Sequence, residues 1–278
     1  MRSSANDYDS FYHEFDAPWM QQLRRDAYGE DIGQHSWVTA DELRADVVRL
    51  GVSTSSRLVD LGCGPGGPLT FILASVRCRG IGVDSSSEAL RVAKAQARAL
   101  GVDALFEGRP ADLNEPLPFE SRAFDAVMAL DVVLHLRDRA AFFREVARVL
   151  AHGGRFLFTD AGVVTGAITD DDVRARSGYG AVQLVSPGSN ERLIELAGFR
   201  LIETEDRTAS VIRNAGGRLA AIDTYLGDLE RVWGAAEVER QRRYLETVVT
   251  LAQRRTLSRF AYVCGNEGRR EEGRGVPM

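Results

Sequence analysis

The apolar residues of this chain fall into short continuous runs that alternate with longer stretches of helical spacing. Such runs, bounded by glycine and polar residues, are typical of buried strands. The predicted strands are Leu58–Asp60, Ile81–Asp84, Leu105–Phe106, Phe124–Leu130 and Arg155–Asp160. The spacing between them predicts helices over Pro68–Val76, Ser87–Ala99 and Arg139–Leu150, the last ended by Gly153 and Gly154. Alternating strands and helices predict an α/β fold whose parallel sheet is covered on both faces.

The remaining segments predict covers on this sheet. Residues 1–50 predict an N-terminal helical part, either a lid or helices packed on the domain, and Thr39 begins its second helix with a capping box. Residues 51–264 are interpreted as the core. Within it, residues 162–187 predict an irregular cover, and residues 210–255 an antiparallel helix pair broken near Gly234. The other predicted elements are a first helix over about Asp7–Arg25, a helix over Ser189–Ala197, strands over Phe199–Thr204 and Arg259–Cys264, and a disordered tail over residues 265–278.

Composition and charge limit the classes of protein to which this chain can belong. The 278 residues are 44% hydrophobic and 27% charged, which is ordinary for a soluble globular protein. A formal charge of -5 argues against a nucleic-acid partner, and no apolar run is long enough to span a membrane. The N-terminus is polar, and the three cysteines lack metal-ligand spacing. We therefore expect a cytoplasmic protein with no metal, no nucleic-acid partner and no membrane partner.

The stretch RLVDLGCGPGGP, residues 57–68, combines a short apolar run, an acidic residue and four glycines before a helical segment. A strand, a glycine turn and a helix let the backbone approach a ligand closely. Asp84 follows at about the distance at which an acidic residue meets ribose hydroxyls in dinucleotide folds. That distance fits NAD and an adenosyl ligand equally. However, Asp60 directly before the glycines differs from the GxGxxG spacing, which disfavours an NAD-dependent oxidoreductase.

These motifs together resemble the class I S-adenosylmethionine-dependent methyltransferases. The resemblance covers roughly residues 55–160 and continues through the terminal strands. It implies a Rossmann-like, doubly wound, seven-stranded, mostly parallel sheet with a helical lid or insertion. It also implies S-adenosyl-L-methionine as methyl donor and S-adenosyl-L-homocysteine as product. The implied cofactor residues are Asp60, Gly62, Cys63 and Gly64 for the methionine half, Asp84 and Ser85 for the ribose and adenine, Asp112 and Leu113 for the adenine, Leu130 by its backbone, and Gln34 and Ser36 in the lid stretch.

The segment LDVVLHL after the fourth predicted strand carries candidate chemistry. Asp131 and His135 are four residues apart and can share one face, and Asp160 ends the fifth predicted strand. Similar residues are found in the phosphoethanolamine methyltransferases and the natural-product sugar O-methyltransferases. The resemblance then implies His135 as general base, oriented by Asp160 or Asp131. The alternative is that His135 only packs between helix and sheet.

The covers are expected to select the acceptor. Their candidate substrate residues are Tyr12, His13, Trp37, Tyr179 and Tyr225. These side chains predict a small-molecule acceptor with an apolar part, and we expect methylation of a hydroxyl oxygen in specialised metabolism. Nitrogen and carbon acceptors stay open, as does a catalytically inactive cofactor-binding regulator or scaffold. The helix pair over residues 210–255 is either a lid or a homodimer interface.

Overall fold

A computed structural model of the chain describes Tyr12, residues 14–180 and residues 182–267. In this described part, seven strands form one sheet in the order β3-β2-β1-β4-β5-β7-β6. The strands are β1 (Arg57–Leu61), β2 (Arg79–Asp84), β3 (Phe106–Pro110), β4 (Phe124–Ala129), β5 (Leu150–Val164), β6 (Arg200–Asp206) and β7 (Leu257–Gly265). Only β7 runs antiparallel to its neighbours within that part. The predicted Rossmann-like, mostly parallel sheet is confirmed.

Helices cover both faces of the sheet. They are α1 (Pro18–Tyr28), α2 (Ala40–Leu50), α3 (Gly67–Val76), α4 (Ser87–Ala99), α5 (Arg139–Val149), α6 (Asp170–Arg176), α7 (Ser189–Leu196), α8 (Thr208–Thr224), α9 (Leu226–Trp233) and α10 (Ala235–Gln253). Local capping fixes several starting points: Thr39 forms the predicted capping box with Glu42, and Ser86 accepts a hydrogen bond from the Ala89 N–H at the start of α4. Among the described residues, no helix is both long enough and apolar enough to cross a membrane.

The fifth strand differs most from the sequence prediction. Gly153 and Gly154 were expected to end the preceding helix, but α5 ends at Val149 and β5 begins at once with Leu150. The Gly153 N–H instead donates to the Asn266 carbonyl, and its φ of 78° lets the strand continue. The strand also runs beyond Asp160 to Val164, because it pairs with β7 that far. Asp160 therefore lies inside the strand and not at its end.

Two helical predictions also need correction. The segment over residues 210–255 forms three helices and not two, since a second break occurs at Tyr225 between α8 and α9. The N-terminal helix begins at Pro18, whose missing N–H suits a first turn, while most of the predicted stretch before it lies outside the described residues. The predicted tail does not begin at residue 265, since Gly265 belongs to β7 and the Asn266 N–H donates to the Gly154 carbonyl, while residues 268–278 lie outside the described residues.

The described residues form three large apolar clusters and a fourth, small one that contains Tyr12 and Phe15. One face of the sheet packs against α5 and α7 through aromatic residues such as Phe143, Phe156 and Phe158. The other face packs against α2, α3 and α4 through aliphatic residues such as Leu43 and Leu69. A separate apolar cluster joins α8, α9 and α10 to Trp37, and it reaches the sheet at Ala161. The helical cover is therefore a packed unit with its own core.

Candidate active site

A cleft of about 710 Å³ lies where the strand order reverses between β1 and β4, beyond the carboxyl ends of the parallel strands. This is the position where open α/β sheets bind ligands. The turns after β1, β2, β3 and β4 form one side of the cleft. Residues of α6, α8 and α10, the stretch before α2, Tyr12 and Tyr179 form the other side. We call these sides the strand half and the cover half.

The glycine turn after β1 is bound to the end of β2 by its backbone. The N–H groups of Gly62 and Cys63 donate to the Val83 carbonyl at 2.8 and 2.9 Å. The Gly64 N–H donates to Asp84 Oδ2 at 2.9 Å. Gly62 has a φ of 79°, and a Cβ at this position would lie 2.1 Å from Val132 Cγ2. Only glycine fits this turn without strain.

Asp84 is held so that it can serve a ligand. Oδ2 accepts from the Gly64 N–H, and Oδ1 accepts from the Ser86 N–H at 2.9 Å. Each oxygen of a carboxylate can accept a further hydrogen bond. Since Asp84 lines the cleft, the structure presents a fixed pair of acceptors to a ligand with hydroxyl groups.

Asp60 is a buried acid of the strand half whose negative charge is not neutralised by any described side chain. It is 2% exposed and lines the cleft, and its Oδ1 has no hydrogen-bond partner among the described residues. Burial, and then the negative charge of Asp84, raise the pKa of Asp60 to about 8. A ligand with a positively charged group would satisfy this carboxylate. The site therefore fits a ligand that is cationic near Asp60 and carries hydroxyls near Asp84.

The predicted adenine and lid residues divide into two groups. Ser85, Leu113 and Leu130 line the cleft together with Asp112, whose Oδ1 accepts from the N–H and the side-chain amide of Asn114. Cys63 and Ser36 also line it. Gln34 does not: it is 1% exposed and binds the backbone of Ile32 and Glu30. The Gln34 side chain therefore holds the backbone of residues 30–32.

Asp131 lies in the cleft wall, but its carboxylate fastens remote segments to each other. Oδ1 accepts from Thr159 Oγ1 and Arg259 Nε, each at 2.8 Å, and Oδ2 accepts from the Trp37 N–H at 2.9 Å. Burial opposes its charge, but the Arg259 charge and these hydrogen bonds outweigh it and hold the pKa below its usual value. Asp131 has a φ of 58°, which is uncommon for a non-glycine residue. It is therefore an ionised anchor for the stretch that contains Trp37.

Asp160 is not brought to the cleft, contrary to the position expected from the sequence. It is fully buried, and its carboxylate accepts from Arg139, from Asn190 at 2.8 Å and from the Gly162 N–H at 2.8 Å. The same Arg139 also donates to the Gln183 carbonyl. Asp160 thus belongs to a buried ion pair that holds the chain segment after α6, because β5 continues beyond it.

The two histidines of the cleft differ in environment. His135 is exposed at the end of a 3₁₀ turn over Val133–His135, and it lines the cleft. His35 is half-buried on the opposite side, with its ring 5.9 Å from that of Tyr12. Burial, and then the positive charges of Arg218 and Arg24, lower the pKa of His35 to about 3. His35 is therefore neutral at physiological pH and cannot supply a charge there.

Three of the five predicted substrate residues line the cleft. They are Tyr12, Trp37 and Tyr179. Tyr225 lies elsewhere, where its hydroxyl donates to Asp26 at 2.6 Å, and His13 lies outside the described residues. Four polar side chains of the cover half were not expected from the sequence, namely Arg176, Arg218, Gln241 and Tyr244. Among the described residues, no cluster of three or more histidine, cysteine, aspartate or glutamate side chains could hold a metal ion.

Comparison with known proteins gives consistent matches. Residues 59–158 match the family model described as a methyltransferase domain. Methyltransferase GfsG of Streptomyces halstedii is 30% identical over 200 residues, which cover 67% of this chain and 70% of that protein. The 27-O-demethylrifamycin SV methyltransferase of Amycolatopsis mediterranei is 28% identical over 72% of this chain and 74% of its own. Phosphoethanolamine N-methyltransferase 2 of Haemonchus contortus, solved with phosphomonomethylethanolamine and S-adenosylhomocysteine, has a similar fold with a TM-score of 0.80, 19% identity and coverage of 96% of this chain and 61% of that one.

Proposed function

Because this chain belongs to the class I S-adenosylmethionine-dependent methyltransferases of small molecules, we propose that it methylates a hydroxyl oxygen of a specialised metabolite, with His135 as the general base. S-adenosylmethionine supplies a methyl group on a positively charged sulfur, which is already electrophilic. The work left to the protein is to bind and align both molecules, to exclude water and to accept one proton. The observation that carries the proposal is the single cleft shared by Asp60, Asp84 and His135.

The strand half would bind the methyl donor. The unpaired Asp60 carboxylate suits the ammonium of the methionine part, and Asp84 suits both ribose hydroxyls. Ser85, Asp112, Leu113 and the backbone of Leu130 surround the remaining volume, where the adenine would lie. Gly62, Cys63 and Gly64 bring the backbone of the turn to the methionine part, with Ser36 on the facing lid stretch.

The cover half would bind the acceptor. Tyr12, Trp37 and Tyr179 provide apolar surface with a few polar tips, and each is at most 6% exposed. Arg218, Gln241 and Tyr244 come from α8 and α10, which supports the interpretation of residues 210–255 as a lid. A homodimer through the outer surfaces of these helices is a separate proposal that sedimentation at several protein concentrations would test.

His135 would remove the proton of the acceptor hydroxyl. Histidine is the side chain that proteins most often use as a general base. The place of His135 on a short turn in the cleft wall leaves the ring exposed to an acceptor. Neither Asp160 nor Asp131 is assigned to orient it, because both carboxylates are held by buried arginines.

Nitrogen and carbon acceptors are the alternatives within this family. The rifamycin enzyme is named for an oxygen acceptor and the Haemonchus enzyme for a nitrogen acceptor. A neutral amine needs no base before methylation, whereas a hydroxyl benefits from one. The exposed histidine in the cleft therefore favours oxygen. An inactive cofactor-binding scaffold is the alternative from another class, and turnover with any small acceptor excludes it.

The test compares His135→Ala with the wild type in a panel of phenolic, polyol and amine acceptors. General-base catalysis contributes about 10²–10⁴-fold, so we expect kcat on a hydroxyl acceptor to fall by that factor while the affinity for S-adenosylhomocysteine stays the same. His152→Ala is the matched control, since His152 is exposed in β5 and does not line the cleft. Unchanged kcat in His135→Ala would remove the general-base role, and turnover of amines alone would move the proposal to nitrogen.

A further inference from the structure

Two arginines of the cover half have no carboxylate partner among the described residues. Arg176, at the end of α6, is 4% exposed and lines the cleft. Its Nη1 donates to the Tyr244 hydroxyl at 2.7 Å, and it forms no ion pair with any residue that the structure describes. Arg218, on α8, is half-buried, lies 5.5 Å from the Trp37 ring and likewise has no carboxylate partner among those residues. Both guanidinium groups therefore present uncompensated positive charge to the same cleft.

The other buried arginines in the described part of the chain have the carboxylate partner that Arg176 lacks. Each of them is paired with an aspartate, namely Arg24 with Asp31, Arg139 with Asp160, Arg207 with Asp46 and Arg259 with Asp131. A buried charge without a partner costs several kcal/mol, so this protein compensates its buried guanidinium groups wherever the site is closed. The exception, Arg176, is the one that faces the cleft.

Among the described residues, the carboxylates of Glu237 and Asp131 are already bound to other groups. Glu237 accepts from the Tyr179 hydroxyl at 2.9 Å and from Arg240 at 2.8 Å. Asp131 is held by Arg259. A ligand that reaches this half of the cleft would therefore supply the negative charge that the two arginines lack.

A second observation also indicates a polar ligand here. Gln241, on α10, is 3% exposed and lines the cleft, and its side-chain oxygen has no hydrogen-bond partner among the described residues. A buried amide oxygen without a partner is unfavourable unless a ligand donates to it. The rings of Tyr179 and Tyr244, in edge contact at 5.0 Å, provide an apolar surface in the same half.

We propose that the acceptor carries an oxyanion group, a carboxylate or a phosphate, that Arg176 and Arg218 bind in the cover half. The planar guanidinium group matches the geometry of both anions and forms strong charge-assisted hydrogen bonds with them. Gln241 then accepts from a hydroxyl or amine of the same molecule. This inference rests on the proposed function, because it assigns the cover half to the acceptor.

The experiment measures binding to the full-length protein saturated with S-adenosylhomocysteine. Calorimetric titrations use inorganic phosphate, benzoate and benzamide as probes, where benzamide is the neutral counterpart of benzoate. We expect benzoate or phosphate, or both, to bind, and benzoate to bind at least about tenfold more tightly than benzamide if the anion is a carboxylate. Preferential binding of phosphate would identify the phosphate form of the group. Equal binding of benzoate and benzamide without binding of phosphate, or no binding of any probe, would overturn the proposal.

Substitutions then locate the anion. Arg218→Gln and Arg176→Gln should each weaken anion binding at least about tenfold. The matched controls are Arg213→Gln on α8 and Arg174→Gln on α6, both exposed, and they should bind the anion as the wild type does. Since Arg176→Gln could disturb folding, Arg218→Gln decides the test: if it leaves anion binding unchanged, the assignment is wrong. Binding of S-adenosylhomocysteine to the wild type and to every variant is measured in parallel. If the wild type did not bind S-adenosylhomocysteine, the proposed function would be contradicted, and not this inference alone.

Discussion

The two halves of the cleft are built by different means. In the strand half, consecutive elements of the chain meet through backbone groups: the turn after β1 donates to the Val83 carbonyl and to Asp84, which ends β2. In the cover half, side chains from α6, α8 and α10 meet residues of the lid stretch such as Trp37. A site made of backbone tolerates few changes. A site made of side chains on helices can be altered one residue at a time, which suits the part that selects the acceptor.

Buried ion pairs fasten the cover half to the sheet. Asp131 and Arg259 hold the stretch with Trp37, and Arg259 also binds Glu42 on α2 at 3.1 Å. Asp160 and Arg139 hold the Gln183 carbonyl, and the Gln183 N–H donates to the Leu134 carbonyl beside His135. Both aspartates are thus structural supports: Asp131 holds the stretch that contains Trp37, and Asp160 with Arg139 holds the chain at Gln183.

The largest expected effect comes from removing one of these supports. Asp160→Asn leaves Arg139 charged and buried with only amide partners, so we expect the free energy of unfolding in urea to fall by about 3–5 kcal/mol. Because Asp160 does not line the cleft, kcat measured well below the melting temperature should stay near the wild-type value. If stability stayed the same and kcat fell, Asp160 would have the catalytic role that the sequence suggested.

The substitution Gly62→Ala tests the strand half by adding a single methyl group. Gly62→Ala forces a residue with a side chain into a φ of 79° and against Val132. Backbone strain and overpacking together should cost about 2–4 kcal/mol of unfolding free energy, and the affinity for S-adenosylhomocysteine should fall. Gly51→Ala is the matched control, because Gly51 has a φ of 64° with nothing within 4 Å of the added Cβ. It should cost only about 1–2 kcal/mol and leave the affinity unchanged.

A second change separates the two costs at Gly62. Val132→Ala removes the atom that the new Cβ would meet, so stability lost to the clash should return in the double variant while the backbone strain remains. If Gly62→Ala behaves like Gly51→Ala, the close approach to Val132 does not constrain the turn.

The charge of Asp60 gives a smaller, pH-dependent effect. In the free protein its pKa is raised to about 8, so at pH 6 it is largely protonated. A bound ammonium favours the ionised form, and binding then releases a proton. Affinity for S-adenosylhomocysteine should therefore rise with pH, by up to about tenfold between pH 6 and 7, and level off near pH 8. Calorimetry in two buffers of different ionisation enthalpy measures the proton release.

Asp60→Asn is the control for this dependence. It cannot ionise, so the affinity should become flat between pH 6 and 8 and should be weaker than that of the wild type at pH 8. The titration of His35 does not contribute to this pH dependence, because its pKa of about 3 lies outside the range from pH 6 to 8. A flat wild-type profile would mean that Asp60 already finds compensation before the ligand binds.

The sequence predicted the strand half well because its residues are close together in the chain. Asp60, the glycines and Asp84 lie in one strand–turn–helix–strand stretch, and their spacing alone indicates the site. The cover half could not be predicted in this way. Nothing local distinguishes Arg176 and Arg218 from the many exposed arginines, since only the packing of α6, α8 and α10 turns them toward the cleft. Asp160 was misplaced because Gly162 suggests the start of a loop, whereas pairing of Val163 and Val164 with β7 continues the strand.

The smallest expected effect on acceptor binding comes from a substitution outside the cleft. Tyr225→Phe removes only a hydrogen bond to Asp26 on the surface, outside the cleft, so neither the KM for the acceptor nor the melting temperature should change measurably. Tyr179→Phe is the matched substitution at a residue that lines the cleft, where the hydroxyl donates to Glu237 at 2.9 Å, and it should raise KM. Steady-state kinetics of both variants at saturating S-adenosylmethionine measures the difference. If Tyr225→Phe raised KM as much as Tyr179→Phe, the acceptor would extend toward α1 and α9, and the acceptor site would be larger than the cleft.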